Sequence, residues 1–366
     1  MRFRCDRELI LKEISTAQDI ISSRNALSIL SNVLLEAADG HLTIRATDLK
    51  VSFDTSIPVE IETPGKTTIF CDKLLGILRS LPPGDVGFDE PKEGVFNIRP
   101  TAKKIDFQLR SISPDKFPQI QLASDDQYFE FPQSDLIAMI GQTVFAVSDD
   151  ETRHFMNGVY VERVDDALVM VGTDGRRLAY VKRPLPAGVD VSGVIIPPKI
   201  LTLIRKLASG EGPIQMALTD KNVFVRFDNR NISSALIEGQ FPNYQRVIPN
   251  TQEYSLLIDR AELSEATRRV SLLVEKSRRL YITVAEGTMT LRAEESDIGE
   301  AEEEVSCEYE GPEITFAVNY TYLSDPLRVI PGEKLRIEFS APNKAIGLYS
   351  VDDDQAFHIV MPMQLD

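Results

Sequence analysis

The chain has 366 residues, 43% hydrophobic and 26% charged, with a formal net charge of -16 at pH 7. At roughly 100–200 residues per domain this length suits two to four domains, and the composition is that of a globular chain. Cys5, Cys71 and Cys307 lie far apart with no CxxC pair, which argues against a disulfide framework or thiolate metal site and for a reducing compartment.

The start, MRFRCDRELI, has no apolar stretch of signal-peptide length, and no run approaches the ~18 apolar residues of a membrane helix. A cytoplasmic protein without a membrane partner is the expectation.

In chain order, ELILKEISTAQDII places Ile10, Ile14, Ala17 and Ile21 on one stripe of an amphipathic helix. NVLLEAADGHLTIRATDLKVSF, from Asn32, is an alternating strand, an acidic Gly turn and a second strand ending at Asp48. This is a hairpin with one buried face. IFCDKLLGILRSLPPG then gives a short strand, a helix and Gly. The same order returns twice. Leu136, Ile140 and Val144 share a helix face, NGVYVERVDDALVMVGTDGRRLAY is a hairpin, and VIIPPKILTLIRKLASG is strand, helix, Gly. In the third copy Asp259 and Glu262 cap a helix through Leu263, Ala266, Val270 and Leu273. RLYITVAEGTMTLRAEESDIGE and TFAVNYTYLSDPLRVIPG follow.

The markers share one period. The hairpins end at Asp48, Asp174 and Asp297, spaced 126 and 123 residues apart. Lys73 and Lys199 differ by 126, and Pro118, Pro242 and Pro362 by 124 and 120. A period this long makes each copy a domain rather than a solenoid unit. Three α+β domains are expected at 1–124, 125–250 and 251–366, each opening with a helix and setting two helices on a sheet layer.

Charge is segregated. Arg328 is the one basic residue between Ala293 and Glu333, a stretch that contains EESDIGEAEEE. The polar helix faces instead carry Arg7 and Lys12, Lys73 and Arg79, Lys199, Arg205 and Lys206, and Arg268 and Arg269. Several helices in three copies of one domain lean basic inside an acidic protein. A face is kept positive against the overall balance, and distribution rather than net charge decides what a surface attracts.

Catalysis has little support. His41, His154 and His358 form no HxH or HExxH, and GxSxG, GxxxxGK[ST] and GxGxxG are absent. SDDET and DDD do not match the twelve-residue calcium loop. No cofactor or metal is expected.

With TDGRRLAY at Thr173, FPNYQRVIP at Phe241, FAVNYTYL at Phe316 and VMPMQL at Val360 in order on this repeat, the whole chain resembles the bacterial DNA sliding clamps, the beta subunits of DNA polymerase III. The resemblance implies a homodimer whose two three-domain subunits close a six-domain ring. Helices line the hole, antiparallel sheets form the outer wall, and duplex DNA passes through. It implies a non-enzymatic processivity factor that tethers the replicative polymerase and also meets the clamp loader and other replication and repair proteins. Competing readings are an acidic interaction scaffold of the same fold and an enzyme built on carboxylates.

The family's partners insert a Gln-Leu-Ser/Asp-Leu-Phe motif between the second and third domains. Carried over, that pocket comprises Met156, Thr173, Gly175, Arg177, Leu178, Pro242, Arg246, Val247, Asn319, Tyr322, Val360, Met361, Pro362 and Met363. Methionines suit a surface that accepts varied partners, and a proline in the closing strand suits a sheet edge. The resemblance places Arg24 in the lumen, beside the helix cations Lys73, Arg79, Lys199, Arg205 and Lys206; Asp149–Asp150 maps there too but cannot attract phosphate. It also joins the first domain of one subunit to the third of the other, through Lys103, Lys104, Phe107 and Leu109 against Leu272, Leu273, Glu300, Glu303 and Glu304. Two departures stand out. Arg176 occupies a position where clamps often have His, and EKSRR replaces an aromatic near the loop after Leu273.

Overall fold

The computed structural model describes residues 1–21, 28–274, 276–295 and 298–365. Arg24, the hairpin end Asp297 and Asp366 lie outside them. The chain divides into two compact units, Met1–Phe131 with Gly212–Leu236, and Pro132–Glu211 with Ile237–Asp366.

Six α-helices are present among the described residues: α1 (Arg7–Ile20), α2 (Cys71–Ser80), α3 (Gln133–Thr143), α4 (Pro198–Leu207), α5 (Arg260–Val270) and α6 (Tyr320–Leu327). Their starts are written locally. Asp6 accepts the Glu8 N–H at 2.8 Å, Asp259 accepts the Glu262 N–H at 2.7 Å, and Asn319 accepts the Thr321 N–H at 3.0 Å, so each side chain satisfies an orphan helix donor. Pro198 opens α4, where its missing N–H costs nothing. The apolar stripes are buried as the spacing requires: Ile10, Ile14 and Ala17 on α1; Ile200, Leu203 and Ile204 on α4; Leu263, Ala266 and Val270 on α5. Each repeat opens with a short strand before its helix (Arg2–Asp6, Phe129–Pro132, Tyr254–Asp259), not with the helix itself. Four to six residues of alternation are too few to stand out beside a helical pattern.

The first unit holds a five-stranded and a nine-stranded sheet among the described residues. In the larger sheet, strand Val51–Pro58 pairs antiparallel with Arg230–Ala235, Val51 facing Ser234 and Phe53 facing Ile232. Behind this pairing Arg230 is buried with Glu13 of α1, its Nε donating at 3.1 Å and its Nη2 at 2.5 Å.

The second unit holds a twelve-stranded sheet among the described residues. Here Arg177–Pro184 pairs antiparallel with the closing strand Ala356–Val360, Arg177 facing Val360 and Ala179 facing His358. This is the first pairing with both partners advanced by 126 residues, Val51 to Arg177 and Ser234 to Val360. The repeat is thus carried by backbone register. By that register Pro362 stands where Leu236 does, so its alignment with Pro118 and Pro242 in the sequence is not a structural equivalence.

The closing strand is no sheet edge, because Ile346–Ser350 pairs with its other side. It ends at Val360, and Pro362 lies beyond it. Proline is tolerated there because neighbouring N–H groups make the bonds: Met361 N–H to the Arg176 carbonyl at 2.9 Å and Met363 N–H to the Ala317 carbonyl at 2.7 Å.

His358 is buried within this sheet, neither ring nitrogen having a hydrogen-bond partner among the described residues. Burial first, then the Arg177 charge, pushes its pKa down to about 3. The unfolded ring titrates near 6.5. Between those values the unfolded chain binds a proton that the folded chain refuses, so stability falls as pH falls through that window. The equivalent residue of the first pairing is Ile232. His358→Ile should remove this term, about 2 kcal/mol between pH 7 and 5. Urea midpoints of both proteins at the two pH values check it; an equal acid loss in both would contradict a neutral buried histidine.

Candidate functional site

The site grows from one turn. Thr173-Asp174-Gly175-Arg176-Arg177 connects the second strand of a hairpin to the strand that meets the closing strand. The Thr173 hydroxyl donates to the Arg177 carbonyl at 2.6 Å and accepts the Gly175 N–H at 3.1 Å. Asp174 Oδ1 accepts the N–H groups of Arg176 and Arg177 at 2.9 and 3.0 Å. Gly175 has φ +87°, which glycine adopts without penalty. The first unit builds the same turn from Thr47, Asp48, Leu49, Lys50 and Val51, with the same four hydrogen bonds. There Leu49 takes φ +75° and carries the strain.

Arg177 then ties three elements together. Its Nε donates to Asp174 at 3.1 Å, Nη1 to Asp325 of α6 at 2.7 Å, and Nη2 to the Phe145 carbonyl at 2.7 Å. The guanidinium lies 4.8 Å from the centre of the Tyr322 ring and 5.4 Å from that of Phe145. It is a structural hub, and its charge is matched by two carboxylates.

Two neighbouring features gather most of the expected pocket residues. Leu178 belongs to a buried apolar cluster with Phe241, Tyr244 and Ile359, against which Ala345 also packs. Pro242, Arg246 and Val247 lie on the segment that carries Phe241 and Tyr244, and Val247 is exposed. Asn319, Tyr322, Met361, Pro362 and Met363 line an open cleft of about 580 Å³. Val360 is sealed into the core of the last repeat, while Met361 is 40% exposed. The closing segment therefore does both jobs, one residue filling a core and the next offering an open wall. Met156 and Thr173 are buried; Gly175 is exposed.

The cleft also contains residues that sequence reasoning did not assign: Arg176, Lys276, Ser277, Arg278, Arg279 and Gln364. Their signal was the cationic KSRR run and the Arg at position 176, which read only as departures from a family pattern.

The remaining expected residues fall as follows. On α2, Lys73 and Arg79 are exposed, Lys73 lying 3.4 Å from Asp72; on α4, Arg205 and Lys206 are exposed and Lys199 partly so. Arg205 rests over α3, where a Cβ at Gly141 would lie 3.5 Å from its guanidinium carbon. Asp150 caps the turn Glu151–Met156 and pairs with Arg153 at 2.9 Å, hydrogen bonds that hold its carboxyl below the usual range. Lys103 and Lys104 are exposed and Phe107 and Leu109 partly buried, the latter two on an end strand of the five-stranded sheet. Leu272 is 73% exposed and Leu273 partly buried on the turn after α5. Glu300 and Glu303 are already paired within the chain, with Arg292 at 2.9 Å and with Arg269; Glu304 is exposed.

The first unit has its own hollow beside the matching turn, about 210 Å³, lined by Leu49, Ser52, Pro118, Ser233 and Ser234 among others. By register Ser52, Ser233 and Ser234 stand where Leu178, Ile359 and Val360 stand. One backbone device is built twice, and where the first copy sets Ser52 against Ser233 the second sets Leu178 against Ile359.

Repeated helix-and-sheet domains with a methionine-walled cleft fit a protein of the clamp type. Three family models match in succession: the DNA polymerase III beta subunit N-terminal domain over residues 1–121, its central domain over 130–243 and its C-terminal domain over 245–364. The beta sliding clamp of Treponema pallidum is 46% identical over 372 residues, covering all of both chains. A sliding clamp from Bartonella birtlesii, solved bound to griselimycin, superposes with a TM-score of 0.95 at 30% identity over both full chains. A Caulobacter crescentus beta sliding clamp, described with polyethylene glycol in a putative beta-motif tethering region, gives 0.93 at 30% identity, covering 100% of this chain and 99% of that one. The chain belongs to the DNA polymerase III beta-subunit family, the beta sliding clamps. Its place is in DNA replication, as a processivity factor and not an enzyme.

Because Arg177 holds two partly buried carboxylates, Arg177→Ala should destabilise the protein by about 2 kcal/mol, below the range for fully buried pairs because water reaches this one. Chemical denaturation measures this, and an unchanged midpoint would remove Arg177 from its role as hub.

Proposed function

We propose that two copies of this chain, each with domains at 1–124, 125–250 and 251–366, close head to tail into a ring around duplex DNA. The ring tethers the replicative polymerase and receives the clamp loader and other replication and repair proteins at one pocket per chain. The setting is the cytoplasm. Family membership over the whole chain supports this reading, and the observation that carries the pocket is the closing segment. Two backbone bonds pin Met361 and Met363 beyond the sheet, with Met361 open to solvent. The motif's leucine and phenylalanine need such apolar walls, each worth ~1.5–3 kcal/mol when fully buried. After the ordering cost of association, a short peptide should bind near the micromolar range, about -8 kcal/mol.

The lumen would carry Arg24, Lys73, Arg79, Lys199, Arg205 and Lys206. Phosphate contacts of this kind are independent of sequence and permit sliding. The subunit contact would set Phe107 and Leu109 against Leu272 and Leu273, with Lys103 and Lys104 toward the acidic strand. Glu302 and Glu304 are its exposed acids best placed to receive them, since Glu300 and Glu303 have partners of their own.

Deleting Met361 to Asp366 should leave a folded protein and weaken a labelled Gln-Leu-Ser-Leu-Phe peptide by ~2–4 kcal/mol, toward millimolar. Fluorescence anisotropy, with circular dichroism as folding control, reads this out. Normal binding by the folded truncation would reduce the segment to a sheet appendage.

Leu272→Ala with Leu273→Ala should give monomers, as each buried leucine contributes on the order of 2 kcal/mol per interface. Light scattering at submicromolar protein checks it, and an unchanged dimer would sink the interface assignment.

A further inference from the structure

The cleft beside the closing segment is unusual for its charge. In a chain with 56 acidic and 40 basic residues, its lining includes Arg176, Lys276, Arg278 and Arg279 and, among the described residues, no carboxylate. Arg279 is engaged, donating to the Tyr281 hydroxyl at 3.3 Å. Arg176, Lys276 and Arg278 make no side-chain ion pair among the described residues, and all three are exposed. Arg177, one residue along, shows the contrast, with its charge spent on Asp174 and Asp325. Glu295 accepts from the Ser277 hydroxyl at 3.3 Å but is not part of the lining.

The backbone at Arg278, Arg279 and Arg176 is tied down. The Arg278 carbonyl accepts the Tyr320 N–H at 2.9 Å at the start of α6, and Arg279 pairs in register with Asn319. Arg278 itself sits at φ +52°, a left-handed conformation uncommon for a side chain of its size. On the other wall, the Arg176 carbonyl is the acceptor that anchors Met361. The same lining therefore combines cations from two separate segments with the apolar surface of Tyr322, Met361 and Met363.

We propose that this cleft receives an acidic segment flanking the partner motif, so that this clamp prefers partners whose docking motif is bordered by Asp or Glu. The inference rests on the peptide-pocket reading above and adds to it the charge of the partner. Opposite charges at an exposed rim steer association and discriminate among partners more than they add affinity. Each exposed pair is worth a factor of about 1.4–5 in affinity, and such pairs fade with salt.

The test uses the full-length protein and labelled peptides that share a Gln-Leu-Ser-Leu-Phe core. Flanks of three residues at either end are neutral, acidic or basic. At low salt an acidic flank on one side should tighten binding about tenfold over the neutral peptide, and a basic flank should weaken it. Raising salt to ~0.5 M should shrink the advantage to about twofold or less. Lys276→Ser with Arg278→Asn, asparagine being tolerant of the left-handed backbone, should cancel it in the same way. Equal affinities for the three flanks, with the core still bound, would overturn the inference and leave the pocket standing. Failure of every peptide to bind would overturn both. An unlabelled single-stranded oligonucleotide that displaces the acidic peptide at equal concentration would also overturn it, because the cleft would then read phosphate rather than carboxylate.

Discussion

Register between two strands is the constraint from which the site follows. Once Arg177 is opposite Val360, the next residue of the closing chain has one place to go, and its N–H finds the Arg176 carbonyl. A slip of one residue would turn Val360 out of the core and Met361 into it. The same register puts Arg177 between α6 and the Phe145 carbonyl, where it stacks on Tyr322 and fixes the floor of the cleft. Pocket shape is thus a consequence of sheet pairing, and no loop has to find its conformation on its own.

The repeat serves as an internal control. Both pairings share turn chemistry, register and the bond from the first residue past the last paired one, Ala235 to the Lys50 carbonyl in one and Met361 to the Arg176 carbonyl in the other. The side chains then part company. The first pairing is polar, with Ser52 facing Ser233, Asn231 donating to Asp54 and a buried Arg230–Glu13 pair behind. The second sets Leu178 against Ile359 and stacks Tyr180 on Phe357 at 4.6 Å. Losing one partner of the buried pair would strand a charge, so the first copy is committed to structure. The second is free to offer apolar surface to a ligand.

Much of this was legible in the sequence. The amphipathic helices, the hairpins and the Asp259 cap follow from patterns that act over a few residues, and such patterns survive in a single sequence. The long-range choices did not show. Nothing in the sequence near Pro362 indicates that the strand before it pairs on both sides, with Arg177–Pro184 and with Ile346–Ser350. Glu13 and Arg230 are 217 residues apart, and neither position hints at the other. Among site residues, the motif around Thr173 and the closing segment are brought together by the pairing of Arg177–Pro184 with Ala356–Val360. The cations of the 276–279 loop match no motif, and only the fold brings them into one cleft lining with Arg176.

The central claim is that one backbone device is built twice and that the proposed peptide pocket belongs to the copy in which Leu178 and Ile359 stand in place of a serine pair. Hydrogen exchange of the full-length protein with a saturating Gln-Leu-Ser-Leu-Phe peptide tests this most directly. Slowed exchange confined to amides around residues 173–178, 241–248 and 361–365, with the matching amides at 47–52 and 233–236 unchanged, is the predicted result. Equal protection at both turns, or protection at neither, would contradict it.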